Sequence, residues 1–254
     1  MLWLLFFAFL AGFVDSIVGG GGLIQVPALF VFLPPAVTAN VAPVWGTNKL
    51  AAVCGTSMAA WQYVRKVRLN FGILLPTALA AFVFSFLGAR TVSLLDPKVI
   101  KPVILVLLIL VAVYTAARNK NAPARHLNLP KAWQLPAALA VGSAIGFYDG
   151  FFGPGTGTFL IIAFVGLFGF DFLLASASAK VVNFSTNVAA ILWFARTGNI
   201  YFRYAIPLAL ANGAGAALGS RMAILKGSEF VRRFFIAVVL ILIARFAYEL
   251  ASGR

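Results

Sequence analysis

The chain has 254 residues, of which 62% are hydrophobic and 10% are charged, and its mean hydropathy is +0.99. A chain of this size cannot bury so much apolar surface, so the composition excludes a soluble domain. The net charge of +14 does not indicate nucleic-acid binding, because eighteen of the twenty lysine and arginine residues lie in short connections or at the ends of apolar segments. There they can reach lipid headgroups and set the topology. We therefore predict an all-α polytopic membrane protein that lies in the lipid bilayer and binds no nucleic acid.

Eight apolar runs follow one another along the chain, and most have the ~20 residues that an α-helix needs to cross the hydrocarbon core. No basic residue precedes the first run, so we expect it to stay in the protein rather than to be cleaved as a signal peptide. The single cysteine, Cys54, excludes an intramolecular disulfide. The runs cover residues 1–33, 43–64, 71–95, 99–117, 132–170, 173–195, 201–222 and 230–250.

The first and fifth runs contain the same polar cassette. Residues 12–22 read GFVDSIVGGGG and residues 146–156 read GFYDGFFGPGT, with five identical positions. A shift of 131 residues then aligns Lys49 with Lys180, Arg65 with Arg196, Pro76 with Pro207, Gly88 with Gly219 and Arg90 with Arg221. We predict two homologous transmembrane repeats, 1–117 and 132–254, joined by a polar linker, 118–131.

The two cassette-bearing runs are too long for one crossing and too short for two, and glycines interrupt each of them. Open backbone at membrane depth is tolerated only inside protein or beside water. We therefore predict that each run forms a glycine-broken re-entrant hairpin whose short return helix begins at Leu23 or Thr158, and that three transmembrane helices complete each repeat.

This threading makes the second half an inverted copy of the first, whereas a single broken crossing would make the halves parallel. The lysine and arginine residues of the loops divide eleven against seven in both arrangements, so charge does not discriminate between them. We favour the inverted repeat because the return segments are short for a full crossing.

Four charged residues lie inside apolar segments: Asp15, Lys49, Asp149 and Lys180. Each would cost about 2.5 to 3.5 kcal/mol at the bilayer centre on insertion scales. They must therefore be paired, hydrated or occupied by a ligand. One interpretation is two structural ion pairs, Asp15 with Lys49 and Asp149 with Lys180. For the lysines we favour a functional interpretation, in which they face a water-filled vestibule and bind a substrate.

A polar stripe surrounds Lys180, and the first half shares the lysine but not the amides of this stripe. Ser176, Lys180, Asn183 and Asn187 follow one another at steps of four, three and four, so they share one face of a helix. The equivalent face of the first half carries Trp45, Lys49, Ala52 and Thr56, with Asn48 one step aside. We predict Asn48, Asn183 and Asn187 as substrate ligands, with interhelical packing as the alternative for the amides.

The glycine tips add backbone donors to this arrangement. A short helix that begins at a tip directs its N-terminal N–H groups and positive dipole end toward the membrane middle, where glycine lets an anion approach closely. We therefore include Gly20, Gly21, Gly155 and Thr156 among the substrate-binding residues. Together with the lysines they predict a small oxyanion as the substrate.

These motifs resemble those of the TauE/SafE sulfite exporter family. The resemblance rests on residues 12–24 with Pro27 and 47–51, and on residues 146–157 with 179–183; it covers nearly the whole chain and is weakest from about 96 to 133. It implies an inner-membrane permease of two related halves, which handles sulfite or organosulfonates in some members.

The combined features favour a secondary carrier that exports a small sulfur-containing anion, with Asp15 or Asp149 taking a proton and so coupling transport to the proton gradient. The alternatives are a passive anion channel and a permease for another small organic anion. A Ser/Lys dyad at Lys180 is conceivable, but we predict that the chain is not an enzyme. We expect no cofactor and no metal, and a homodimer would be unsurprising for a compact carrier.

Overall fold

The computed structural model describes residues 1–94 and 127–251, and all regular structure in these residues is α-helical. The described part contains nine helices: α1 (Leu2–Val18), α2 (Gly22–Phe32), α3 (Pro35–Thr38), α4 (Val41–Val64), α5 (Phe71–Leu94), α6 (Lys131–Phe151), α7 (Thr156–Phe168), α8 (Phe172–Arg196) and α9 (Phe202–Ala251). Helix α9 is broken at Gly227, which has φ +73°. The predicted crossing at 99–117 and most of the predicted linker 118–131 lie outside the described residues.

Each glycine segment joins two antiparallel helices. Helix α2 returns along α1, since the rings of Phe32 and Phe7 stack at 5.9 Å. The end of α7 likewise returns to the start of α6, where the N–H of Leu129 donates to the carbonyl of Leu167 at 3.1 Å. The return helices begin at Gly22 and Thr156, one and two residues before the predicted positions. The passage of these hairpins through a bilayer stays a prediction.

Positive φ angles form both turns. Gly19, which follows α1, has φ +78°, and Gly155, which precedes α7, has φ +86°. L-residues with a side chain rarely adopt this region, so glycine is the residue that permits the chain to reverse here.

Helix starts in the two halves keep the offsets seen in the sequence. Gly22 and Thr156, which begin α2 and α7, are 134 positions apart; the starts of α4 and α8 and those of α5 and α9 are each 131 apart. The helices therefore show the same two offsets as the sequence, 134 residues for the cassettes and 131 residues for the later segments. The division into two homologous repeats with the predicted boundaries stays a prediction.

Helices α4 and α8 lie against each other and run in opposite directions. Tyr63 near the end of α4 meets Ser176 near the start of α8, with 3.5 Å between their hydroxyl oxygens. In the middle, the side-chain amide of Asn187 donates to Thr56 Oγ1 at 3.4 Å. A methyl group on Gly46, near the start of α4, would overlap the backbone of Asn199 beyond α8.

The first helix of each hairpin packs on a helix from the other half. Helices α5 and α6 run side by side in the same direction, and α1 packs on α9 in a matching way. In both interfaces glycines admit the neighbouring backbone: Gly142 meets Thr77, Gly146 meets Ala81, Gly150 meets Ser85, Gly12 meets Asn212 and Gly219 meets Phe13. Small residues at such contacts are typical of helix packing in membranes.

The outer surface is apolar. On α5 the exposed face carries Leu75, Leu79 and Val83, and on α9 it carries Ile206 and Leu210, all more than half exposed. Of the described helical segments, Phe71–Leu94 and Phe202–Phe234 are long and apolar enough to cross a membrane by the criteria of length and composition. This surface suits contact with lipid rather than with water.

Candidate functional site

Two buried ion pairs lie between the halves of the chain. Lys49 Nζ on α4 is 2.6 Å from Asp149 Oδ2 on α6, and the two side chains are only 3% and 6% exposed. Lys180 Nζ on α8 is 2.8 Å from Asp15 Oδ2 on α1, with the lysine wholly buried and the aspartate 21% exposed. Sequence analysis offered ion pairs within each half, Asp15 with Lys49 and Asp149 with Lys180. That pairing is wrong, because α1 and α6 each pack against helices of the opposite half.

The crossed pairs change the electrostatics expected from the sequence. Each lysine already has a carboxylate as counter-ion, so these four side chains carry no net charge when all are ionised. Lys180 is wholly buried, and Lys49 reaches the cavity between the helices only with Asp149 bound to it. Removing one partner of such a pair would leave a buried, uncompensated charge, which typically costs about 3 to 5 kcal/mol. The ion pairs therefore hold the two halves of the chain together. They also engage the two ammonium groups that were predicted to bind an anion.

One cavity lies between the glycine segments and the helices α4, α8 and α9. Its empty space is about 490 Å³, including the part that opens to the outside. The lining includes ten of the eleven residues predicted for the site: Asp15, Gly20, Gly21, Asn48, Lys49, Asp149, Gly155, Thr156, Asn183 and Asn187. Lys180 is absent from the lining and reaches the cavity through Asp15, which it holds. The structure thus brings the predicted residues together in one place.

The first glycine tip is occupied by an acidic side chain. The backbone N–H of Gly21, which precedes α2, donates to Asp15 Oδ1 at 3.1 Å, while Oδ2 of the same carboxylate accepts from Lys180. Asp15 therefore joins a helix N-terminus to a cation, which satisfies the carboxylate well. A substrate anion at this tip would have to displace Asp15.

The second tip is closed by its own hydroxyl. Thr156 Oγ1 donates to the carbonyl of Gly153 at 2.7 Å. The two tips also touch: a methyl group on Gly19 would overlap the backbone of Gly157, and one on Gly22 would lie 3.0 Å from Pro154. The glycines therefore serve close packing of the two tips as well as access to the cavity.

The polar residues of the facing sides of α4 and α8 differ in their hydrogen bonds. Ser176 donates to the carbonyl of Ile17 at 2.6 Å, and Asn187 donates to Thr56, so both have structural contacts. The side-chain oxygens of Asn48 and Asn183 are buried and have no hydrogen-bond partner within the described part of the chain. Both residues line the cavity.

Two further amides of the cavity were not predicted from the sequence. Gln25 on α2 and Asn212 on α9 are 3% and 4% exposed, and Asn212 Nδ2 donates to Gln25 Oε1 at 2.8 Å. Each is a single amide inside an apolar run, a signal that could have been read. The repeat directed attention elsewhere, because the offsets place the apolar residues Phe159 and Ala81 at the equivalent positions.

Comparison with known proteins finds one family model that matches nearly the whole chain. The model of the family described as Sulfite exporter TauE/SafE matches residues 4–246. A probable membrane transporter protein, ORF9, of Sinorhizobium sp. is 36% identical over 94% of this chain and 88% of its own length. The probable membrane transporter protein YfcA of Escherichia coli strain K12 is 33% identical over 98% of this chain and 90% of its own length. No solved structure matches the chain significantly. The chain belongs to the TauE/SafE sulfite exporter family, a family of multi-pass membrane transporters rather than enzymes.

Proposed function

We propose that the protein is a secondary transporter of the inner membrane that exports a small sulfur-containing anion, sulfite or an organosulfonate. The observation that carries the proposal is the pair of crossed ion pairs, Lys49 with Asp149 and Lys180 with Asp15, at a cavity between the two halves. The ammonium groups are the binding sites for an oxyanion, and the carboxylates hold those sites when no substrate is bound. The family name supplies the substrate class, and the names of the relatives support a membrane transporter.

The proposed architecture is an inverted repeat with two re-entrant hairpins. Helices α2 and α7 have 11 and 13 residues and so span about 16 and 20 Å, less than the ~30 Å of the hydrocarbon core. Helices α4 and α8, which start at equivalent positions, run antiparallel. Both observations support hairpins that meet near the membrane middle and halves that enter from opposite sides. Rocking of one half against the other would then expose the cavity alternately to each side.

The ion pairs also suggest how a proton takes part. An anion that binds Lys49 must replace the carboxylate of Asp149, which would then be a buried, unpaired charge. Protonation of Asp149 removes that charge and leaves the ammonium group to the anion. The same exchange is available at Asp15 and Lys180. We therefore propose that one proton accompanies each negative charge of the substrate, so that transport is electroneutral and its direction follows the combined gradients of the anion and the proton.

Flux measurements in proteoliposomes test this proposal. Sulfite efflux should saturate, show counterflow and carry protons, so a pH change should accompany it while an imposed membrane potential leaves its rate unchanged. A panel of sulfate, sulfoacetate, acetate and chloride would establish the substrate class. Saturating efflux of sulfite without any pH change would refute the proton step.

A passive anion channel is the second candidate, because the cavity is open to the outside on the described structure. A channel would give ohmic current in a planar bilayer and no counterflow. A permease for another small organic anion would show the same kinetics as the proposed carrier but a different order of preference in the anion panel.

A further inference from the structure

Gln25 lines the cavity, and its side chain carries a buried donor that has no partner in the described part of the chain. Gln25 lies on α2, one turn beyond the first glycine tip, and is 3% exposed. Its Oε1 accepts from Asn212, but its Nε2 is buried with no hydrogen-bond partner among the residues that the structure describes. A buried amide donor without a partner is costly, so native proteins seldom retain one without a reason.

The neighbours of Gln25 fix its amide in place. Asn212 Nδ2 donates to Oε1, and this contact turns Nε2 away from Asn212. Asn212 itself is held by two glycines: a methyl group on Gly12 would overlap its carbonyl oxygen, and one on Gly55 would overlap its side-chain oxygen. Helices α1 and α4 therefore hold the amide pair from two sides, and the donor is preorganised before any ligand enters.

Gln25 Nε2 is a neutral donor, unlike the two ammonium groups of the ion pairs. In the resting cavity both ammonium groups are taken by carboxylates, whereas Gln25 Nε2 needs no proton transfer to become available. It occurs in one half only, since the equivalent position is Phe159. A substrate that uses it must therefore bind in one orientation.

We propose that Gln25 is a specificity-determining residue that donates a hydrogen bond from Nε2 to an oxygen of the transported anion. An oxyanion directs several acceptor oxygens at different partners, so one oxygen can meet Gln25 while another meets Lys49. A halide has no separate oxygens, so it meets both donors only where both lie within contact distance of the one ion. A site with a buried donor discriminates against ligands that cannot satisfy it. This inference rests on the proposed transport of an oxyanion and names a residue that selects it.

Two substitutions separate ligand binding from packing. Gln25→Glu keeps an oxygen that accepts from Asn212 but replaces the donor by a carboxylate, whereas Gln25→Leu removes both groups at similar size. Gln62→Leu is the matched control, because Gln62 Nε2 donates from α4 to the carbonyl of Ala217 on α9 and does not line the cavity. Binding of sulfite and of chloride to each purified protein is measured by isothermal titration calorimetry, with thermal unfolding in detergent as a check on folding.

We expect Gln25→Leu to weaken sulfite binding at least about tenfold, the effect of losing roughly one hydrogen bond to a charged ligand. Gln25→Glu should weaken it more, because its carboxylate repels the anion. Chloride binding should change less in Gln25→Leu, and Gln62→Leu should bind sulfite as the wild type does. Wild-type sulfite affinity in Gln25→Glu, or an equal loss in Gln62→Leu, would overturn the assignment.

The outcome for the wild type distinguishes this inference from the proposed function. If the wild type binds acetate or another oxyanion in place of sulfite, the sulfur substrate is wrong, and the same variants decide the role of Gln25 with that anion. If it binds none of the oxyanions of the panel, both proposals fail.

Discussion

Asn187 donates a hydrogen bond to Thr56 across the contact between α8 and α4, and the two residues stand 131 positions apart, the offset that also relates Lys180 to Lys49. In an inverted repeat, residues at equivalent positions can meet at the axis that relates the halves, so this contact supports the proposed inverted repeat. In both ion pairs a lysine reaches the aspartate of the opposite half of the chain.

Removing one member of an ion pair should cost more than removing both. Lys49→Met leaves Asp149 buried without a counter-ion and should destabilise the protein by about 3 to 5 kcal/mol, whereas Lys49→Met with Asp149→Leu should recover most of that loss. Thermal unfolding in detergent measures the difference. Both variants should lose sulfite transport. Equal stability of the single and double variants would mean that the two residues do not interact.

Asp149→Asn should separate anion flux from proton flux. The substitution leaves Lys49 with a neutral partner, so the anion no longer needs a proton to displace a carboxylate at this pair. We expect sulfite flux with fewer accompanying protons, measured by a pH-sensitive dye, and a new dependence on membrane potential.

The matched control for that experiment is Asp171→Asn. Asp171 Oδ1 caps α8 by accepting from the N–H groups of Leu173 and Leu174, on the exposed surface. Its proton coupling should equal that of the wild type. If Asp149→Asn also keeps wild-type coupling, the proton is carried elsewhere.

Glycine substitutions should report the packing of α6 on α5. A methyl group on Gly150 would overlap the backbone of Ser85, so Gly150→Ala should destabilise the protein by about 1 to 3 kcal/mol. Gly166→Ala is the control, because Gly166 lies in α7 with nothing within 4 Å of an added methyl group. It should be neutral or stabilise by up to about 1 kcal/mol. Thermal unfolding in detergent distinguishes these results, and similar melting of both variants would contradict the close contact.

The inverted repeat predicts opposite sides for two equivalent loops. Lys66, after α4, and Thr197, after α8, are both exposed and 131 positions apart. In a Cys54→Ser background, Lys66→Cys and Thr197→Cys should react with a membrane-impermeant maleimide from opposite sides of an oriented membrane. Labelling of both from one side would instead indicate parallel repeats.

Composition and local pattern were sufficient for the helical membrane class and for ten of the residues that line the cavity. Apolar length reports crossings, and the high cost of charge in lipid singles out Asp15, Lys49, Asp149 and Lys180 in any apolar segment. Glycine breaks beside them marked both tips within two residues. These signals are local, so the sequence reveals them without knowledge of packing.

Partners of the buried groups were decided by the tertiary structure alone. The sequence requires each buried charge to be compensated but does not say by which residue, because any opposite charge in reach satisfies the same energetic need. Which charge is in reach depends on α1 packing with α9 and α6 with α5, contacts between residues far apart in the chain. The same holds for Gln25 on α2 and Asn212 on α9, 187 positions apart, whose amides meet only because the fold brings these two helices together.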